Sequence, residues 1–337
     1  MRRLAAAVLA LILTAPTVLS AAPDAPPPAA PTPLRLRPVH TYSIVARDPA
    51  TGELGVAVQS HAFAVGSGVS WAEAGVGAVA TQSFIDPAYG PLGLDLMRAG
   101  RSAPDALKGL IAADDGRDVR QVAMVDAAGR VSAYTGSRCI PSAGNHVGDG
   151  YSVQANLMDN DNIWPAMARA YEAAKGDLAE RLLQALEAAQ TAGGDIRGMQ
   201  SAAILVVKGV SSGKPWQDKI FDLRVDDSPQ PLVELRRLVR LQRANNLGNE
   251  GDRYFEKKDD AAALKAYAAE ALDPDNAEMA FWHAVALVNT GKVDEALPVF
   301  AKAFRMYPKF RELVPRLARV GLLPADQKVI GRIVAVK

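Results

Sequence analysis

The sequence predicts an α+β domain followed by a small all-helical module. Three observations predict it. Strand and helix signals alternate in blocks: strands, two helices, strands, two helices, strands. That segregation favours layered α+β packing over a doubly wound sheet. From about Glu234 the composition shifts to helix formers, and a spacing of 34 residues appears within that stretch.

The elements follow in order. Thr41–Ala46 (TYSIVA) and Leu54–Gln59 (LGVAVQ) read as two strands joined by the turn residues Asp48-Pro49-Ala50-Thr51-Gly52, a hairpin over 41–60. Gly75–Gln82 (GVGAVATQ) reads as a further apolar strand. A helix is expected from Tyr89 to Arg98, stopped by Gly100, and another over 103–113 with Ser102 as its N-cap. Val119–Asp126 and Arg130–Thr135 form a second expected hairpin around Ala127-Ala128-Gly129, and Tyr151–Asn156 a strand end. Helices follow at 163–174 and 177–191, the latter with Leu178, Leu182, Leu183 and Leu186 on one face and Gly193-Gly194 at its end. Ala202–Val207 (AAILVV) and Ile220–Val225 are the last strands.

The N-terminus carries Arg2 and Arg3, an apolar run of ten residues from Leu4 to Leu13, and the small residues Ser20-Ala21-Ala22. This is the layout of a secretory signal peptide, expected over 1–22, and it predicts export to the periplasm or the extracellular space. The run is too short for a stable membrane anchor. Residues 23–38 hold seven prolines, so 23–39 is expected as an extended linker. The α/β domain is assigned to 40–232, two repeats to 240–312 and a capping segment to 313–337.

Hydrophobic residues make up 49% of the 337, enough for a sizeable core, and 38 basic residues balance 37 acidic ones. That balance leaves no electrostatic footprint for nucleic acid. Cys139 is the only cysteine, so intramolecular disulfides are excluded and a buried, small apolar role is expected for it. There is no CxxC, no histidine pair at metal-ligand spacing and no glycine-rich phosphate loop, so no metal and no cofactor is expected.

In the C-terminal part Pro274 and Pro308 are 34 apart, as are Ala262 and Ala296, and Ala269 and Ala303. Ala284, Leu287, Gly291, Ala296, Phe300, Ala303 and Pro308 sit where tetratricopeptide (TPR) repeats place small and apolar residues. The first unit, with Gly251, Tyr254 and Phe255, fits only in a shifted register. Such repeats imply a protein partner.

The runs HTYSIVARDPATGELGVAVQSHAFAVG, GVGAVATQS, RQVAMVDAAGRVSAYTG, GDLAERLLQALEAAQTAGGDIRGMQSAAILVV and DLRVDDSPQPLVELRRL occur in this order. Over about residues 40–240 they resemble the bacterial domain of unknown function 1028 (DUF1028) family. The resemblance implies a four-layer αββα sandwich of the N-terminal-nucleophile (Ntn) hydrolase type. It places Thr41, at the start of the first strand, in the nucleophile position of a threonine-type amide or peptide hydrolase. In that chemistry the free α-amine of the first residue is its own general base, because such an amine titrates near ~8. Here the Thr41 amine is internal, so the His40–Thr41 bond has to be cut. Uncut, Thr41 is a strand-starting threonine.

By the same resemblance, Gln59, Ser60 and His61 end the strand beside Thr41 and orient the nucleophile, with His61 a base where the amine is absent. Asp195 and Ser201 resemble the supporting pair of threonine-type sites. Thr81, Gln82, Asn156, Arg197 and Gln200 are candidates for substrate contact, Arg197 as a bidentate grip on a carboxylate. Each also has a plain structural explanation: strand-edge polarity for Thr81 and Gln82, helix termination and a surface ion pair around Asp195 and Arg197. Asp226 and Asp227 read as a solvated turn. The alternative to the enzyme is a non-catalytic ligand-binding or protein-interaction module of the cell envelope. A third reading is an assembly protein whose α/β domain forms a homodimer.

Overall fold

The computed structural model describes residues 41–268 and 274–337. The expected signal peptide, the proline-rich linker, His40 and Ala269 lie outside the described residues.

Among the described residues ten strands form two antiparallel sheets. The larger has the order β10-β9-β2-β1-β8-β7, built from β1 (Thr41–Arg47), β2 (Leu54–Ser60), β7 (Gly144–Gly148), β8 (Tyr151–Ala155), β9 (Ser201–Val207) and β10 (Lys219–Val225). The smaller has the order β3-β4-β5-β6, from β3 (Ser70–Glu73), β4 (Gly77–Ser83), β5 (Arg120–Asp126) and β6 (Val131–Thr135). The long strands lie within a residue or two of their expected bounds. Two short strands, β3 and β7, and a four-residue helix α1 (Gly66–Val69) had no sequence signal.

The sheets pack face to face with helices on both outer sides. Strand alternation sorts the side chains. On β1, Tyr42, Ile44 and Ala46 join a cluster with α4 (Ile163–Ala173) and α5 (Leu178–Thr191). Val45 on the opposite face packs with Ala78, Ala80 and Ala123 of the smaller sheet. A third cluster covers the outer face of the smaller sheet, where Val79, Val122 and Met124 meet α2 (Tyr89–Arg98) and α3 (Ala103–Ala113). Because both faces of the central strands are covered, β2 and β9 read as unbroken apolar runs. Ser102 caps α3 as the sequence proposes, its Oγ accepting from the Asp105 N–H; Asp177, expected as the first helical residue, is instead the N-cap of α5, its carboxylate accepting from the Glu180 N–H. At Gly55 a Cβ would stand 2.7 Å from Leu182 Cδ1, so α5 rests directly on the β2 backbone.

The boundary expected between 232 and 240 falls inside a single 26-residue helix, α6 (Pro231–Glu256). Its first half belongs to the sandwich: Leu232, Leu235 and Val239 join the α4/α5 cluster, and Arg236 pairs with Glu180 and Glu187 of α5. Asn246 then donates to the Ile220 carbonyl at 3.1 Å, where the β10 pairing shifts register. Its second half belongs to the helical region: Gly251 lies so close to Tyr267 of α7 (Asp260–Tyr267) that a Cβ would stand 2.7 Å from the ring. A linker signal is absent because none is used; one continuous helix changes partners midway.

Beyond it, α8 (Ala277–Asn289) and α9 (Val293–Met306) form a hairpin followed by α10 (Phe310–Arg319) and α11 (Gln327–Val334). Ala284, Ala296, Phe300 and Ala303 are fully buried between them, and Phe281 stacks on Phe310 at 4.8 Å. In the preceding hairpin Ala263, not Ala262, is the fully buried residue, a phase offset of one. Sandwich and helices belong to one compact unit. Among the described residues no helix is long and apolar enough to cross a membrane.

Candidate functional site

The register of the sheets gathers polar strand ends at one end of the sandwich. Thr41 pairs with Ser60, Ser60 with Ser201, and Gln82 with Gln121. Thr41 is fully buried, and its Oγ1 donates to Ser60 Oγ at 3.2 Å. Its carbonyl accepts three N–H groups: the Gln82 side-chain amide at 3.0 Å, the Asn156 backbone at 3.1 Å and the Asn156 side-chain amide at 3.4 Å.

These amides are held in turn. Gln121 Oε1, from the smaller sheet, accepts from both Gln82 Nε2 (2.7 Å) and Asn156 Nδ2 (2.8 Å). Gln121 Nε2 donates to the Ala155 carbonyl, the Gly144 carbonyl and Thr135 Oγ1. Gln82 Oε1 accepts from Ser43 Oγ at 2.6 Å, and Ser43 Oγ accepts from Gln154 Nε2 at 3.2 Å. The site is thus a neutral network of amides and hydroxyls, and Thr41, Ser43, Ser60, Gln82, Gln121, Gln154 and Asn156 are all fully buried. A network this well connected fixes its members' rotamers and amide orientations.

Of the residues proposed from sequence, the structure brings together Thr41, Ser60, Gln82 and Asn156. The others lie around them in different contacts. Gln59 is fully buried but points to the helix-covered face, and among the described residues neither of its amide atoms has a partner. His61 is exposed, and no hydrogen bond joins its ring to Thr41; its backbone N–H donates to Asp195 Oδ2 at 3.2 Å. Asp195 is almost fully buried and takes Arg197 in a fork, with Nη2 at 2.7 Å and Nε at 3.1 Å. Arg197 is therefore committed to Asp195 within the loop. Burial, and secondarily the Asp195 carboxylate, holds the Tyr42 phenol well above its usual range. Ser201 Oγ ties the loop after β2, donating to the Ala62 carbonyl and accepting from the Val65 N–H. Gln200 donates to Asp227, and Thr81 to the Asp86 carbonyl at 3.2 Å. Cys139 is buried, and that burial pushes its thiol up.

Sequence reasoning missed Ser43, Gln121 and Gln154. The signal was present: Ser43 and Gln154 interrupt otherwise apolar strands at alternate positions on a covered face, where a polar group requires a partner.

Among the described residues no group of three or more His, Cys, Asp or Glu is placed to hold a metal. The arrangement instead offers an immobilised threonine with its hydroxyl on a neighbouring serine and its carbonyl gripped by donors.

No curated protein matches the chain. A solved structure, the crystal structure of protein SPO2555 from Silicibacter pomeroyi, titled as a DUF1028 family member, is similar at 30% identity with a TM-score of 0.54. It covers 60% of this chain and 88% of its own. A family model described as "family of unknown function (DUF1028)" matches residues 41–235. With more than half of its length matched, beginning on Thr41, the chain belongs to the DUF1028 family.

Proposed function

We propose that this DUF1028 protein is an exported amide or peptide hydrolase of the Ntn type, acting in the periplasm or outside the cell, with Thr41 as its nucleophile. The observation that carries the reading is the grip on Thr41: three N–H donors hold its carbonyl, two of them the side-chain amides of Gln82 on β4 and of Asn156 just past β8. The start of the family match on Thr41 adds to it.

The chemistry begins with cleavage of His40–Thr41. The freed α-amine then takes the Oγ1 proton as Oγ1 attacks an amide carbonyl, and passes that proton to the departing amine. Water attacks the resulting ester, releasing the carboxylate and restoring the Thr41 hydroxyl. Ser60, already on Oγ1, orients the attack.

The test is the intact mass and N-terminal residue of the purified exported protein. A chain starting at Thr41 supports the hydrolase. A chain starting near Ala21–Pro23, with Thr41→Ala unchanged in every turnover assay, removes it.

A non-catalytic ligand-binding or interaction module is the second reading. It is favoured by the complete burial of Thr41 and the engagement of its hydroxyl. In both readings the C-terminal hairpins act as TPR-like repeats for a protein partner; capture experiments with the helical region, yielding no enriched protein, would remove that part.

A further inference from the structure

The inter-sheet face of β8 carries an unusual line of polar atoms. Ser152, Gln154 and the adjoining Asn156 alternate onto that face, and all three are fully buried. Each leaves one atom without a partner among the described residues: Ser152 Oγ, Gln154 Oε1 and Asn156 Oδ1. Reversing the amides does not repair this. Gln154 Nε2 donates to Ser43 Oγ and the Ala80 carbonyl, and Asn156 Nδ2 to the Thr41 carbonyl and Gln121 Oε1. An oxygen in either place would face acceptors, so the neighbours fix both amides with their oxygens outward from these bonds.

We infer that these three atoms line a file of bound water between the sheets, running from the β7–β8 turn at Asp149-Gly150 to Thr41. Buried polar atoms in native proteins are satisfied by protein or by ordered water, and here none of the described residues supplies a partner. The opposite sheet presents a row of small side chains, Ala80, Ala123 and Ala133, and Gln154 Nε2 reaches the Ala80 carbonyl in that row. Alternate residues of a strand are about 6.8 Å apart. Two hydrogen-bonded waters at about 2.8 Å per step bridge such a gap. At the inner end, a water on Asn156 Oδ1 sits one side-chain amide away from the Thr41 carbonyl. At the outer end, Ser152 pairs with Val147, beside the exposed turn.

The file gives a fully buried residue access to water while the helices seal both outer faces. Its use rests on the hydrolase reading: it would bring the water that hydrolyses the Thr41 ester. Its existence does not rest on that reading.

The experiment is a crystal structure of the full exported protein at a resolution that orders internal water, for the wild type, Gln154→Met and Thr41→Ala. The expected result is ordered water within hydrogen-bond distance of Gln154 Oε1 and Asn156 Oδ1 in wild type and Thr41→Ala, and its loss at position 154 in Gln154→Met. Protein donors on both oxygens, or apolar contact with no water peak, overturns the proposal. Should Gln154→Met fail to fold, Ser152→Val with oxygen-17 water relaxation dispersion reads the same file; an unchanged number of long-lived waters overturns it. Waters present in a protein whose chain begins before Thr41 would remove the hydrolase reading and leave the file standing.

Discussion

The Gln82 side-chain amide of one sheet donates to the Thr41 backbone carbonyl of the other at 3.0 Å. It is a main-chain position held by a side chain across the sandwich interior, and Gln82 also donates to Gln121 and accepts from Ser43. Replacing Gln82 by Met keeps the volume, leaves the Ser43 hydroxyl without its acceptor and takes one donor each from the Thr41 carbonyl and Gln121 Oε1. We expect a loss of about 2–4 kcal/mol in urea unfolding. A loss under about 0.5 kcal/mol would mean that the network does not hold Thr41.

Asp114 gives a pH-dependent prediction. Burial raises its pKa, but Arg120, the Gly116 N–H and the Tyr89 hydroxyl together outweigh burial and leave it below the usual carboxylate range. A folded pKa below the unfolded one stabilises the protein above the unfolded value, near ~3.9, and that contribution disappears as pH falls through the folded value. Asp114→Asn should therefore cost about 1–3 kcal/mol at neutral pH and progressively less below about pH 4. Denaturation curves showing the same deficit at both pH values would contradict this.

Gly55→Ala tests the contact between α5 and β2. The new methyl meets Leu182 at 2.7 Å and Leu178 at 3.1 Å. Overpacking of this kind costs about 1–3 kcal/mol. Leu182→Ala in the same chain should recover part of that loss, and a double-mutant cycle without coupling would refute the contact.

Ala244 lies fully buried near the middle of α6, between its two sets of partners. Proline there breaks the helix at a cost of about 3 kcal/mol or more. In calorimetry the Ala244→Pro variant should melt in two steps, the helical region below the sandwich. A single transition shifted as a whole would show that α6 does not couple the two.

The long strands and the capped helices were legible because their signals are local. Ser102 announces a helix start, and β1 alternates polar and apolar side chains from Thr41 to Ile44. β7 was not legible: GNHVG has two glycines and no apolar run, and only pairing with β8 makes it a strand. The site divides likewise. Thr41, Ser60, Gln82 and Asn156 stand out as polar ends of buried strands. Gln121 does not, because its role depends on the smaller sheet being laid over the β8 end, which no single strand encodes. Asp195 and His61 do meet, but through a backbone N–H, a contact that side-chain chemistry cannot anticipate.

At 26 residues, α6 is about 39 Å long. It is anchored at one end by salt bridges to α5 and clasped at the other by Tyr267. A rigid rod rooted in this way behaves as a lever. Whatever pulls on the C-terminal hairpins applies torque to the β9–β10 edge of the sandwich, so mechanical load on the far helices would be felt in the sheet that carries Thr41.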